Sequence, residues 1–384
     1  MNEKNLTISV ATAFGVEAIT KREIVKLGYP DAPANNGRIT FHGDMLAVSR
    51  LNVFLSTAER VYVEIARFKA ETFDDLFDGL YAIDWDNYLV KNAYVHLVAK
   101  SKNSKLFALS SVQSVGKKAI IEKLKKLYNT VILSETGSEY VIELSIDNDV
   151  VTVSLDTTGE ALHKRGYRDL SVEAPMKETL AAAIIDLSVY NPDKYCIDAF
   201  TGSGTFAIET ARKALNIASG IDRDFAFHTF ENVDKKYFDL AKEEANDLVT
   251  DRKLNISAFD IDENAISIAR HHAKNGRVDK YVHFQRMDSR EISSKHPYGV
   301  MFANPPYGER LMTEKEVAAL YRDFACTFFS LSDWSLYLIT AYPKLEQAFN
   351  KKATKTRKLF NGNIECRLYQ YMGKKPQLAK KSEQ

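Results

Sequence analysis

Four residues, Asn304-Pro305-Pro306-Tyr307, stand directly behind the apolar run 299–303. Two successive prolines supply no amide hydrogens and fix their φ angles, and Pro305 drives Asn304 toward an extended conformation. A strand must therefore stop here, with a stiff end that holds an Asn amide, two carbonyl oxygens and a Tyr ring in a fixed array. Three other groups have residue types suited to chemistry. Asp198-Ala199-Phe200-Thr201-Gly202-Ser203-Gly204-Thr205 reads as a tight turn, whose glycines let the backbone approach a ligand. A Gly-x-Gly alone is a weak signal. It lacks the third glycine of a dinucleotide fingerprint and the Gly-Lys-Ser/Thr of a phosphate loop, so a ligand without phosphates fits it better. In Asp260-Ile261-Asp262, Asp260 can accept both hydroxyls of a ribose, whereas Asp262, just before Glu263, reads as a helix cap. In Met287-Asp288-Ser289, Asp288 can accept from an adenine amino group. Taken singly, each aspartate reads as a turn or cap residue; on successive strand ends they read as a site.

The elements that must position these groups alternate. From about residue 175 the pattern predicts strands at 195–200, 256–260, 282–287, 299–303 and 334–341, interleaved with helices at 176–189, 204–215, 263–276 and 315–331, and a further strand at 364–372. That is a doubly wound α/β domain with a largely parallel sheet, and each motif falls at the carboxyl end of a strand, where such sheets bind ligands. Phe302 and Arg310 read as packing and surface residues. The preceding 160 residues mix short strands (6–11, 37–41, 61–66, 94–99) with helices (16–27, 44–55, 72–82, 111–127). They close with a hairpin, 139–146 and 150–155, split by Asp147-Asn148-Asp149; this is an α+β arrangement.

A chain of 384 residues exceeds what one core serves, so two or three domains are expected. With 45% hydrophobic and 27% charged residues it has an ordinary globular composition. No run approaches the roughly 20 apolar residues of a membrane span, and the start has no apolar signal core. Cys196, Cys326 and Cys366 are scattered and odd in number, which speaks against a disulfide framework or zinc cluster and suits a reducing cytoplasm. The histidines show no ligand spacing, so no metal is expected, and His271-His272 on a helix reads as one buried and one exposed residue. The net charge is only +1, yet lysines cluster at 91, 100, 102, 105, 117, 118, 123, 125 and 126 against the single acid Glu122. His163-Lys164-Arg165-Gly166-Tyr167-Arg168 forms a second basic patch and residues 351–358 a third. Most lysine runs are solvated helix faces; three clusters on a near-neutral chain point to a polyanion partner.

The motifs at Asp198–Thr205, Asp260, Asp288 and Asn304–Tyr307 resemble those of class I S-adenosylmethionine-dependent methyltransferases that act on exocyclic amino groups. "LHKRGYR" (162–168) followed by "APMKETLAAAII" (174–185) is similar to the junction in bacterial THUMP-domain RNA methyltransferases, in particular those forming N2-methylguanosine in 23S ribosomal RNA. This resemblance spans nearly the whole chain. It implies an N-terminal ferredoxin-like segment (1–50), a THUMP RNA-binding domain (51–160), a linker (161–175), a Rossmann-like methyltransferase domain (176–373) and a polar tail (374–384). It implies S-adenosylmethionine held by Asp198, Phe200, Thr201, Gly202, Ser203, Gly204, Thr205, Asp260, Ile261, Asp288, Ser289 and Asn304. Structured RNA would be held by Lys100, Lys102, Lys105, Lys117, Lys118, Lys164, Arg165 and Arg168, with no membrane and no obligate protein partner. The catalytic array would be Asn304, Pro305, Pro306 and Tyr307. One departure is that Asp260 lies 58 positions after Gly202, far beyond the roughly 20 of a simple dinucleotide fold; the family carries a similar insertion. The same tetrapeptide serves DNA and protein methylases, so the chemistry is better specified than the substrate. A transfer-RNA guanine-N2 or other exocyclic-amine methyltransferase is the alternative within the class; an RNA-binding assembly factor with a silent methylase domain, and a nicotinamide enzyme, are the rivals from other classes.

Overall fold

The computed structural model describes residues 5–30, 32–35, 37–170, 176–307 and 313–375. Arg310, Ala174 and Pro175 lie outside the described residues. In chain order the first elements are β1 (Leu6–Thr12), α1 (Glu17–Lys26), β2 (Ala34–Asn35), β3 (Arg38–Gly43), α2 (Met45–Phe54), β4 (Ala58–Lys69), α3 (Phe73–Tyr81), β5 (Tyr94–Lys102), α4 (Leu109–Leu127), β6 (Glu139–Asp147) and β7 (Val150–Asp156). They are followed by α5 (Glu178–Leu187), β8 (Tyr195–Asp198), α6 (Thr205–Ala214), α7 (Ala226–Thr229), α8 (Lys236–Asp247), β9 (Asn255–Asp260), α9 (Glu263–Asn275), β10 (Val282–Arg286) and β11 (Val300–Ala303). The last are α10 (Glu314–Ser330), β12 (Ser335–Thr340), α11 (Leu345–Ala348), β13 (Lys355–Asn361) and β14 (Ile364–Tyr371).

The chain divides into two compact units: Met1–Thr12, Thr20–Leu162 and Ser219–Asp247 in the first, Ala13–Ile19, His163–Ala218 and Leu248–Gln384 in the second. The first is built on one seven-stranded sheet of order β2-β3-β1-β4-β7-β6-β5. β6 and β7 form the hairpin expected from the sequence, and both Asn148 (φ +50°) and Asp149 (φ +62°) adopt the left-handed conformation that a two-residue hairpin turn requires. β5 pairs parallel to β6, with α4 as the crossover. The insertion between Gly202 and Asp260 also belongs here: Ser219–Asp247 lies in the first unit, although sequence boundaries place it within the second domain. The Gly220 amide donates to the Val53 carbonyl (2.7 Å) and the Phe227 amide to the Thr157 carbonyl (3.0 Å). Arg50 pairs Glu244 through two bonds of 2.7 and 2.8 Å, and Phe230 stacks on Tyr140 at 4.3 Å.

The second unit carries a sheet of order β10-β9-β8-β11-β12-β14-β13. Its first five strands are parallel, β14 runs antiparallel to β12, and β13 runs antiparallel to β14. The chain winds outward from β8 through β9 to β10, then restarts at β11 on the other side of β8. That reversal is a topological switch point, where the strand ends splay apart to leave a ligand crevice. Strand alternation sorts the core. In β11, Met301 and Ala303 join Tyr321, Phe324 and Phe328 of α10, while Phe302 stacks on Phe206 of α6 at 5.0 Å.

Candidate active site at the strand ends

The turn after β8 is built by backbone conformation and by buried acids. Gly202 (φ +50°) and Gly204 (φ +90°) both take left-handed angles that side-chain-bearing residues rarely adopt. At Gly204 a Cβ would stand 3.0 Å from Ile208 and 3.2 Å from Ala269, so the turn is pressed against α6 and α9, whereas a Cβ at Gly202 would meet nothing within 4 Å. The backbone is therefore open to a ligand at Gly202. The Gly202 amide donates to Asp260 Oδ2 (2.9 Å), and the Asp262 amide donates to Asp260 Oδ1 (3.0 Å). Asp262 caps α9 by accepting from the Asn264 amide at 2.9 Å, as the sequence suggested. Asp260 is half-buried at its strand end with lone pairs remaining on both oxygens, and Ile261 beside it is 60% exposed.

Asp198 is fully buried. Its Oδ2 accepts from the Thr201 hydroxyl (2.8 Å) and the Ala207 amide (3.3 Å), while Oδ1 has no hydrogen-bond partner among the described residues. Burial raises its carboxyl to about 7, against the pull of those two donors, and the nearby Asp260 charge adds to the rise. Ser203 and Thr205 are buried, with hydroxyls 3.5 Å apart, and Phe200 packs edge-on against Phe324. Asp288 caps the short 3₁₀ turn Ser289–Glu291 by accepting from the Arg290 amide (2.9 Å), and it pairs the Arg290 guanidinium at 2.6 Å; this pairing lowers its carboxyl. Ser289 is buried.

At the end of β11, Asn304 is half-buried and no described residue takes up its side-chain amide. Pro305 is buried. The Pro306 carbonyl accepts from the Tyr321 hydroxyl of α10 (3.1 Å), which also pairs with the Thr340 hydroxyl of β12 (2.8 Å). Tyr307 is half-buried, with its hydroxyl 3.8 Å from Cys366 Sγ of β14. Burial pushes that phenol up to about 12, while an interaction with Asn361 of β13 pulls it back. The strand ends thus bring together the Asp198–Thr205 turn and Asp260 by direct hydrogen bonds, and they fix Pro306 and Tyr307 from three further elements.

Sequence reasoning missed several supporting residues: Tyr321, Thr340, Asn361, Cys366 and His272. Buried His272 faces the Ser203 carbonyl through Nδ1 (3.1 Å) and accepts from the Leu170 amide at Nε2 (3.3 Å). Burial lowers its pKa, so it holds the turn as a neutral ring. The expectation of one buried and one exposed histidine is met, since His271 is exposed. His272 had no signal beyond its position on the helix.

The basic residues divide. Lys100, Lys102, Lys105 and Lys118 are exposed and Lys117 is half-buried, all in the first unit. Lys100 pairs Glu143 (2.6 Å), Lys105 pairs Glu71, and Lys117 pairs Glu135 (2.9 Å). Lys164 is exposed in the second unit. Arg165 corrects the sequence reading: it is 2% exposed and pairs Glu209 of α6 at 3.4 Å, so it braces a helix rather than offering a phosphate contact. Arg168 is half-buried, pairs Glu178 (3.1 Å) and donates to the Met176 carbonyl (3.0 Å). The stretch read as a linker therefore contains buried packing residues, because acids far along the chain neutralise its cations.

The family described as "RMKL-like, methyltransferase domain" matches residues 165–370, the "RlmL ferredoxin-like domain" residues 7–62 and the "THUMP domain" residues 70–156. The chain is 39% identical over 383 residues to "Putative RNA methyltransferase YpsC" of Bacillus subtilis, covering 99% of each. It is 28% identical to the "Ribosomal RNA large subunit methyltransferase K/L" of a Marinomonas species, spanning 95% of this chain and 52% of that protein. Among solved structures, "SMU.472, a putative methyltransferase complexed with SAH" is 40% identical, with a TM-score of 0.93, covering 97% of this chain and all of that one. Among the described residues, no His/Cys/Asp/Glu group could hold a metal ion and no helix is long and apolar enough to cross a membrane.

Proposed function

The chain belongs to the RMKL-like methyltransferase family, whose cofactor is S-adenosylmethionine, and from that premise we propose that it methylates the exocyclic N2 amine of a guanosine in structured RNA, with 23S ribosomal RNA as the substrate. The observation that carries this is the stiff Asn304–Tyr307 array at a topological switch point, beside an open glycine turn braced by Asp260. The site suits the cofactor. Asp260 would accept the ribose hydroxyls, exposed Ile261 would cover the adenine, Asp288 and Ser289 would meet the adenine edge, and the 200–205 turn would line the methionine portion, with the buried Asp198 carboxyl bracing that turn from beneath. Bound there, S-adenosylmethionine supplies an electrophilic methyl group on a sulfonium.

The residues of the chain do the rest by positioning. An exocyclic amine is a poor nucleophile because its lone pair is delocalised into the ring. The Asn304 side-chain oxygen and the Pro305 carbonyl accept its two hydrogens, which favours a pyramidal nitrogen and aims the lone pair. Tyr321 ties back the Pro306 carbonyl, so the two prolyl oxygens are held in different roles. Tyr307, fixed through its hydroxyl, stacks on a base drawn out of its helix. As the new N–C bond formed, the methyl–sulfur bond would break with its electron pair left on sulfur, giving S-adenosylhomocysteine, and the nitrogen, made acidic, would release its proton to solvent, so no dedicated base is required. Residues 51–160, with the lysines of β5 and α4, hold the RNA through its phosphates, and the protein works in the cytoplasm without an obligate protein partner.

Total RNA from cells lacking this gene, incubated with the wild-type chain and tritiated S-adenosylmethionine, will carry label in N2-methylguanosine of 23S RNA after nuclease digestion. Label in transfer RNA or in another nucleoside would overturn the substrate assignment but keep the enzyme. Cofactor binding without label would point to an assembly factor.

A further inference from the structure

The third basic patch of the sequence takes no part in the chemistry above, yet it forms β13, the edge strand of the second unit's sheet. No acid stands between Glu346 and Glu365, while Lys351, Lys352, Lys355, Arg357 and Lys358 fall in that interval. β14 pairs with β12 from Thr340↔Arg367 onward, so Ile364, Glu365 and Cys366 and the hairpin turn run past the end of β12, at the rim where Tyr307 sits. Alternation gives this hairpin two different faces. Leu359 is buried on one, where Cys366 approaches the Tyr307 hydroxyl. Lys358 and Phe360 share the other, and Arg367, the register partner of Lys358, joins them. Lys358 lies 5.3 Å from the centre of the Phe360 ring and pairs Glu365 at 2.7 Å, and Arg367 is exposed.

Phe14 completes this face from within the same unit. Its ring stands edge-on to Phe360 at 5.9 Å and is 65% exposed. It is not a loose side chain. The Arg357 guanidinium donates to the Gly15 carbonyl (3.2 Å), and Gly15, at φ +84°, sits so close to the Lys358 carbonyl that a Cβ would meet it at 3.0 Å. A large apolar ring is therefore held in solvent beside exposed cations, against the hairpin whose other face carries Cys366 to the Tyr307 hydroxyl. An aromatic face offers stacking to any base, and adjacent cations meet the phosphate that follows it.

We propose that Phe14, Phe360, Lys358 and Arg367 form a landing surface for an unpaired nucleotide flanking the target base, with the base stacked on Phe14 and its phosphate on the two cations. This rests on the reading of the chain as an RNA methyltransferase. The test compares wild type, Phe14→Ala and Phe14→Trp in two ways: kcat and KM for methylation of RNA from cells lacking the gene, and anisotropy of a fluorescein-labelled, unstructured oligoribonucleotide. Phe14→Ala will raise the RNA KM on the order of tenfold and weaken oligonucleotide binding similarly, with kcat and S-adenosylhomocysteine affinity unchanged and Phe14→Trp restoring both. Arg367→Gln will make binding less steep in salt. An active wild type whose KM and binding do not respond to Phe14→Ala overturns the surface and leaves the function intact. An inactive wild type that binds the oligonucleotide in a Phe14-dependent way overturns the function and keeps the surface. A wild-type dimer that Phe14→Ala dissociates would assign the face to a second copy and end the RNA proposal.

Discussion

At the scale of single residues the site depends on how deeply each of its acids is buried. Asp260 sits half-exposed and receives two amide hydrogens, one on each oxygen, with lone pairs left over for hydroxyls. Asp198, one strand away, is buried and raised to about 7, so the folded chain keeps its proton well above the ordinary Asp value near 4. Between those two pH values the folded state binds a proton that the unfolded chain has released. This contribution to stability is present at low pH and is lost as the pH rises through about 7. Asp198→Asn will therefore flatten the fall in Tm of the ligand-free protein between pH 5 and pH 8, measured by calorimetry. An unchanged slope would mean that the carboxyl is not buried as a neutral acid.

At the scale of elements, the array after β11 is only as rigid as α10 and β12 make it. Tyr321 reaches from α10 to the Pro306 carbonyl and to Thr340, and it is fully buried. Tyr321→Phe keeps the ring packing and removes the donor. It will cost about 1 kcal/mol of stability and lower kcat about tenfold by loosening the array, while S-adenosylhomocysteine affinity holds. Equal kcat in the two proteins would show that the prolines alone fix the geometry. The strands, helices and glycine turn of this unit were legible because hydrophobic alternation and Gly-Pro punctuation are local signals. β13 was not legible as a strand. An edge strand reading Lys-Thr-Arg-Lys-Leu-Phe-Asn carries cations on both faces, so its alternation is masked. Arg165 was misread for a related reason: its burial depends on Glu209, 44 residues away. Tyr321 carried no signal, because its role exists only once α10 packs over the end of β11.

At the scale of the whole molecule, the insertion between α6 and β9 is the least expected feature. Its length was visible in the sequence as excess spacing, but its destination was not: hydrogen bonds to Val53, Thr157 and Thr158, the Arg50–Glu244 pair and the Tyr140–Phe230 stack exist only in three dimensions. The first unit is thus incomplete without chain from beyond residue 218. A fragment of residues 1–162 will melt cooperatively only at a lower temperature than the full chain, or will be insoluble, because the partners of Tyr140 and of α2 are missing; an equal Tm would show that the segment is an ornament. The central claim is that Asn304 and its neighbours perform methyl transfer, and it is tested most directly by comparing wild type with Asn304→Ala in one assay of tritiated methyl transfer to RNA from cells lacking the gene, alongside calorimetric titration with S-adenosylhomocysteine. Removal of one of two acceptors that position the amine predicts a loss of kcat on the order of a hundredfold or more, with S-adenosylhomocysteine affinity changed by far less. A variant that methylates within a few-fold of wild type would contradict the account.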